Sequence, residues 1–163
     1  MGLLTDILKG KGKPLLSPVD GDLIPLNQLD DETYANGLLG EGIALQMKSG
    51  TILAPADGEV TLIMHTGHAI CIKTEQGVEI ILHIGLGGSV ENEFPIEIFV
   101  ELNQQVEAGD VIMQIDLEKM IESGVRPVLP MVVPNPERFT ITTITEETTV
   151  SAGTPILQIR SKS

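Results

Sequence analysis

Two histidines, His68 and His83, stand fifteen positions apart at the two ends of the stretch Gly67-His68-Ala69-Ile70 … Leu82-His83-Ile84-Gly85. Imidazole titrates near neutrality, accepts a phosphoryl group on nitrogen and binds metals, so a facing pair suits phosphoryl transfer, acid–base work or a metal site. A strand histidine taken alone is more often a partly buried packing residue, and the pairing is what raises the chemistry. The residues between them are rich in Ile and Val, with Glu75-Gln76-Gly77 as the one turn signal, which reads as a β-hairpin. A Glu75-Gln76 loop would set His68 directly opposite His83, with Cβ atoms about 5 Å apart, and a Gln76-Gly77 loop would make them diagonal neighbours about 7 Å apart. A three-residue loop would send them to opposite faces. The expectation is an even-numbered loop with both rings on one face.

Other chemistries fit less well. A zinc hydrolase needs a third ligand, yet the chain has no His-x-His or His-Glu-x-x-His pattern, and His65 falls on the other strand face by parity. A lipoyl- or biotinyl-type carrier wants a lysine at a hairpin tip, whereas Lys73 lies in the strand beside the turn. Cys71, the single cysteine, reads as a small buried hydrophobe and excludes an internal disulfide. A formal charge of −13 excludes affinity built on phosphate neutralisation, so no nucleic-acid partner is expected, and it favours a basic partner surface.

The elements that must position the histidines come from an aliphatic, turn-rich chain. Of 163 residues, 42% are hydrophobic but only 2% aromatic, with 17 Gly and 10 Pro between short β-branched runs, so an all-β domain is expected. Two internal repeats set its architecture. Ser17-Pro18-Val19-Asp20-Gly21-Asp22-Leu23 returns as Ala54-Pro55-Ala56-Asp57-Gly58-Glu59-Val60, and the stretch from Val106 to Asp116 returns from Val150 to Arg160 with Val, Ala, Gly, Ile, Gln and Ile in register. A duplicated β-unit around one core follows. Helix is confined to one turn near Asp31–Gly37 and a short helix capped by Asp116. Strands of four to eight residues make up the rest, with Pro130, Pro134 and Pro136 expected in connections or at edges. Residues 1–14 read as a flexible amphipathic tail, with weak contact to an anionic membrane as its other use, and 15–163 as the domain. No apolar run of membrane-spanning length and no signal sequence is evident, so a cytoplasmic protein is expected.

With these motifs in place the sequence resembles the glucose-type enzyme IIA component of the bacterial phosphoenolpyruvate-dependent sugar phosphotransferase system, from about Leu15 to Arg160. Thr66-Gly67-His68-Ala69 with Gly77-Val78-Glu79-Ile80-Ile81-Leu82-His83-Ile84-Gly85 matches the family's two-histidine signature, and Gly40-Glu41-Gly42-Ile43-Ala44 and Ala54-Pro55-Ala56-Asp57-Gly58 match further motifs. The resemblance implies a duplicated β-barrel or sandwich of the hybrid-motif type. It implies that His83 takes a phosphoryl group from a histidine phosphocarrier protein and passes it to the cysteine of a sugar-specific IIB domain. His68 would stabilise that group without being phosphorylated, and Thr66 would hydrogen-bond His68. No metal or cofactor is implied. Asp31 matches a rim aspartate, while a second rim aspartate is replaced by Gly87, with Glu91 or Glu93 as substitutes; Ile70, Ile80, Leu82 and Ile84 are candidates for an apolar docking surface. Losing a rim carboxylate weakens steering more than chemistry. The alternatives are a regulatory module of the same fold that no longer transfers and, further off, the zinc hydrolase.

Overall fold

The computed structural model describes residues 14–64, 66–87, 93–134 and 138–161. Residues 1–13 of the expected 1–14 tail, His65, Glu91 and Pro136 lie outside the described residues. Fourteen short strands form three antiparallel sheets among the described residues. The largest is built from β2 (Gly21–Pro25), β3 (Glu41–Met47), β5 (Gly58–Ile63), β6 (Ala69–Lys73), β7 (Glu79–His83), β9 (Gln105–Val106), β11 (Val128–Val133) and β13 (Thr149–Val150), in the order β13-β2-β3-β11-β7-β6-β5-β9. Two three-stranded sheets complete it: β1 (Leu15–Leu16), β14 (Pro155–Ser161) and β12 (Phe139–Thr143), and β4 (Thr51–Leu53), β10 (Val111–Ile115) and β8 (Ile96–Ile98). The expected all-β class and scarcity of helix hold, although several strands are only two or three residues long.

The duplication is visible in the hydrogen bonds. Gly21 pairs with Val150 and Gly58 with Val106, so each Pro-x-Asp-Gly unit opens a strand against a Val-x-Ala-Gly unit. The Asp20 carboxylate accepts from the Ala152 amide at 2.7 Å, and the Asp57 carboxylate accepts from the Ala108 amide at 2.8 Å. Gly153 and Gly109, at φ of 91° and 93°, donate to the Ser17 and Ala54 carbonyls at 2.8 and 2.9 Å. The repeated residues therefore serve the fold: an aspartate satisfies the amides of a turn that glycine alone enters without strain.

Alternation in β7 separates two cores. Ile80 and Leu82 point into the large aliphatic cluster with Ile70, Ile72, Ile84 and Met131, while Ile81 packs on the other face against a smaller cluster of Leu26, Tyr34, Ala44, Leu86, Val128 and Val132. His83 belongs to that second face by parity.

Both expected helices form. α1 (Glu32–Ala35) is capped by Asp31, whose carboxylate accepts from the Thr33 amide at 3.0 Å, and α2 (Leu117–Glu122) by Asp116, which accepts from the Lys119 amide at 3.1 Å. One expectation fails: Pro130 is buried in the middle of β11, a central strand, opposite Ala44. The pairing of β11 with β7 covers Met131 and Val132, beyond Pro130, so the missing N–H falls where that ladder ends, at the level of His83.

Candidate active site

His83 closes β7 with its side chain half-buried on the second face. Its ring meets Tyr34 edge-on, with centroids 5.5 Å apart and planes at 74°. Tyr34 is brought there by α1, whose Asp31 cap fixes the helix start, and burial followed by the Asp31 charge pushes its hydroxyl up to about 12, so it stays protonated. Nδ1 of His83 is buried without a hydrogen-bond partner among the described residues. Burial likewise holds the imidazole below its ordinary pKa. The site thus contains a neutral imidazole at pH 7, with one nitrogen enclosed.

A stability consequence has a definite sign. The unfolded histidine takes up its proton near pH 6.5 and the folded one only at lower pH. The stability tied to neutral His83 is therefore complete above about pH 6.5 and is lost as pH falls through the lower folded value. Melts from pH 7 to 5 should show the native chain losing more stability than His83→Gln; parallel curves would show that burial does not perturb this ring.

The hairpin differs from the expected register. Ala69, not His68, stands opposite His83, and the loop is the three-residue Glu75-Gln76-Gly77, closed by the Thr74 amide on the Val78 carbonyl and the Gly77 amide on the Thr74 carbonyl, both at 2.9 Å. Gly77 at φ 88° explains it, because a left-handed third residue completes a three-residue hairpin loop. Strict alternation would then carry position 68 to the face opposite His83. His68, however, precedes β6 in a turn that also contains Thr66 and Gly67, so strand parity does not direct its side chain. Gly67 has φ 77°, and a Cβ there would sit 3.1 Å from Ile96 Cδ1. The Thr66 hydroxyl accepts from the His68 backbone amide at 3.4 Å. The backbones of the two histidines meet, since the Ile84 amide donates to the His68 carbonyl at 2.8 Å, while the His68 ring rests edge-on against Phe94 at 5.2 Å.

The four apolar docking candidates must be withdrawn: Ile70, Ile80, Leu82 and Ile84 are all buried in the large core, so none offers a surface. The apolar side chains available outside are others: Leu38, just past α1, is 76% exposed, and Met64, whose amide and carbonyl brace the His68 turn, is 42% exposed. Tyr34 and Phe94 were missing from the sequence-derived site. Their rarity was the available signal, because the chain has one Tyr and three Phe, and two of these four rings lie on the two histidines. Cys71 is buried and burial pushes its thiol up, which fits a packing residue.

Gly87 does more than lack a carboxylate. It has φ 74°, and a Cβ there would come 3.1 Å from Nε of Arg126, whose Nη1 pairs with Asp30 at 2.7 Å. Gly87→Asp should therefore lower stability by about 1 kcal/mol through the left-handed backbone, a fall of roughly 2–4 °C in Tm. An unchanged melting temperature would show that the loop relaxes freely.

A groove of about 550 Å³ lies beside Tyr34, walled by Leu23, Ile43, Ile141 and Leu157 with Glu41 and Glu146, but neither histidine lines it. Among the described residues no three of His, Cys, Asp and Glu converge to hold a metal. Both histidines are partly exposed.

Comparison with known proteins agrees. Residues 13–139 match the family "phosphoenolpyruvate-dependent sugar phosphotransferase system, EIIA 1". The chain is 32% identical over 147 residues to a PTS system glucose-specific EIIA component of Oceanobacillus iheyensis, covering 89% of this chain and 88% of that one. It is 34% identical to the PTS system glucose-specific EIIBCA component of Corynebacterium glutamicum over 89% of this chain, but spans only 22% of that longer protein. The solved glucose permease IIA from Mycoplasma capricolum superposes with a TM-score of 0.76 at 31% identity, covering 90% of this chain and 94% of that one. With residues 13–139 matched, the histidine-bearing hairpin among them, the chain belongs to the EIIA 1 family of the phosphoenolpyruvate-dependent sugar phosphotransferase system.

Proposed function

We propose that this chain is a phosphoryl carrier: His83 accepts a phosphoryl group from the phosphohistidine of a histidine phosphocarrier protein and passes it to a sugar-specific IIB domain. The observation that carries this is the His83 ring itself, neutral because it is desolvated, with Nδ1 enclosed and the ring half-exposed at a strand end. Nε2 is then the nucleophile and Nδ1 holds the ring proton. With the donor's other ring nitrogen protonated, the Nε2 lone pair forms the new N–P bond as the donor's N–P bond breaks; the donor then leaves as neutral imidazole, and His83 becomes a phosphoimidazolium that carries its proton on Nδ1. Transfer between two imidazole nitrogens needs alignment and charge stabilisation more than covalent help. In this reading His68, whose carbonyl accepts from the Ile84 amide and whose own amide donates to the Thr66 hydroxyl, would supply that stabilisation.

The relatives are named for glucose, mannose, β-glucosides and N-acetylglucosamine, which fits a carrier whose sugar is chosen by its membrane partner. We place it on the cytoplasmic side, where such a donor works; no helix among the described residues is long and apolar enough to cross a membrane. Gly87 at the rim favours, as a second reading, a regulatory module of this fold that does not transfer. Incubation with phosphoenolpyruvate and the two general phosphotransferase proteins decides between them. Intact mass should rise by one phosphoryl group, and a folded chain that never gains it overturns the carrier reading.

A further inference from the structure

Arg126 brings a cation beside the loop that follows His83. Its backbone is fixed against the strand end that follows His83: the Leu86 amide donates to the Arg126 carbonyl at 3.1 Å and the Arg126 amide to the Leu86 carbonyl at 2.8 Å. Its guanidinium lies against the space that a side chain at position 87 would fill, and its Nη1 donates to Asp30 at 2.7 Å. Asp30 immediately precedes Asp31, the cap of the helix that lays Tyr34 on His83, so the pair spans the rim between that helix and the strand end. Both partners face water, the Arg126 side chain at 45% exposure and Asp30 at 75%.

An ion pair so exposed contributes little to stability, because water screens it. It remains useful in another way. A guanidinium offers five N–H donors in a planar fork that matches a carboxylate, and exchanging one exposed carboxylate for another costs little. Gly87 beneath it contributes no side chain to cover the fork. A rim that recruits a basic partner would be weakened by a cation at this place, whereas an incoming carboxylate would gain a two-point contact and fix the docking register.

We propose that Arg126 is a docking residue, meeting a carboxylate of the phosphoryl donor protein above Gly87, with Asp30 holding the guanidinium in the free chain. This rests on the phosphocarrier reading. The test is titration of the full chain with the unphosphorylated histidine phosphocarrier protein of the same bacterium, at low and at physiological salt, followed by NMR or calorimetry. Arg126→Glu should weaken binding about tenfold or more at low salt and Arg126→Gln by several-fold. Asp30→Asn, which frees the guanidinium, should tighten binding. All three differences should shrink as the Debye length falls to about 8 Å at physiological salt.

Tighter binding by Arg126→Glu would mean a basic partner surface and overturn the proposal. Arg126→Gln and Asp30→Asn moving in the same direction would reveal a merely structural pair. Slower phosphoryl transfer in Arg126→Gln with unchanged binding of the unphosphorylated donor would show that the guanidinium meets the phosphoryl group instead. If the native chain is phosphorylated while the variants bind as it does, this proposal alone fails. A native chain that is neither bound nor phosphorylated removes the carrier reading as well.

Discussion

His83→Ala should abolish phosphorylation altogether, whereas His68→Gln should still accept a phosphoryl group but pass it on about 10²–10³-fold more slowly. The asymmetry follows from what each ring does. In the proposed roles His83 forms the N–P bond, so its removal takes away the acceptor, while loss of a donor that stabilises transferring charge costs rate without removing the acceptor. The relevant measurements are intact mass after incubation with phosphoenolpyruvate and the general proteins, and the rate of dephosphorylation by a IIB domain. Equal loss of acceptance in both variants would refute the division of roles. The geometry sharpens this test, because the two rings rest on different aromatic neighbours, Tyr34 and Phe94, and the hairpin does not set them opposite each other. A His68→Gln chain that both accepts and passes the group at the native rate would remove His68 from the mechanism.

Leu82→Ala should lower stability by about 3 kcal/mol and Tm by roughly 6–12 °C. Leu82 is fully buried in the large core, stands opposite Ile70 and Met131, and sits next to His83 in the strand that presents it. Deleting three buried carbons there leaves a cavity walled by neighbours on both sides, which the flanking strands are too constrained to collapse. His83 points to the other face, so phosphorylation measured well below the lowered Tm should persist in the folded fraction. Thermal melts and intact mass on one sample check both halves. A loss of less than 1 kcal/mol would show that the β6-β7-β11 layer is less closely packed than its burial indicates.

Sequence alone determined the all-β class, the duplication, both short helices with the Asp116 cap, and the family, because each rests on local chemistry or on a repeated order of residues. A Gly that must enter the left-handed region, an aspartate that satisfies a turn's amides and an Asp before a helical run all read the same in one dimension as in three. His83 was legible for the same reason, as the last member of a period-two strand. The rest depended on register and on contacts distant in sequence. One loop residue decided which residue stands opposite His83, and Gly77 in a left-handed conformation moved the register by that one step, from His68 to Ala69. Ile70 and Ile84 carry the composition of a docking face, yet burial against β11 and the rest of the core is a tertiary outcome that alternation alone cannot assign. Pro130 reads as an edge residue, yet it occupies a central strand because its missing donor falls where the pairing with β7 begins. Arg126 lies 39 positions beyond Gly87 and 96 beyond Asp30, and only the folded chain brings the three together, with the guanidinium against Gly87 and paired to Asp30.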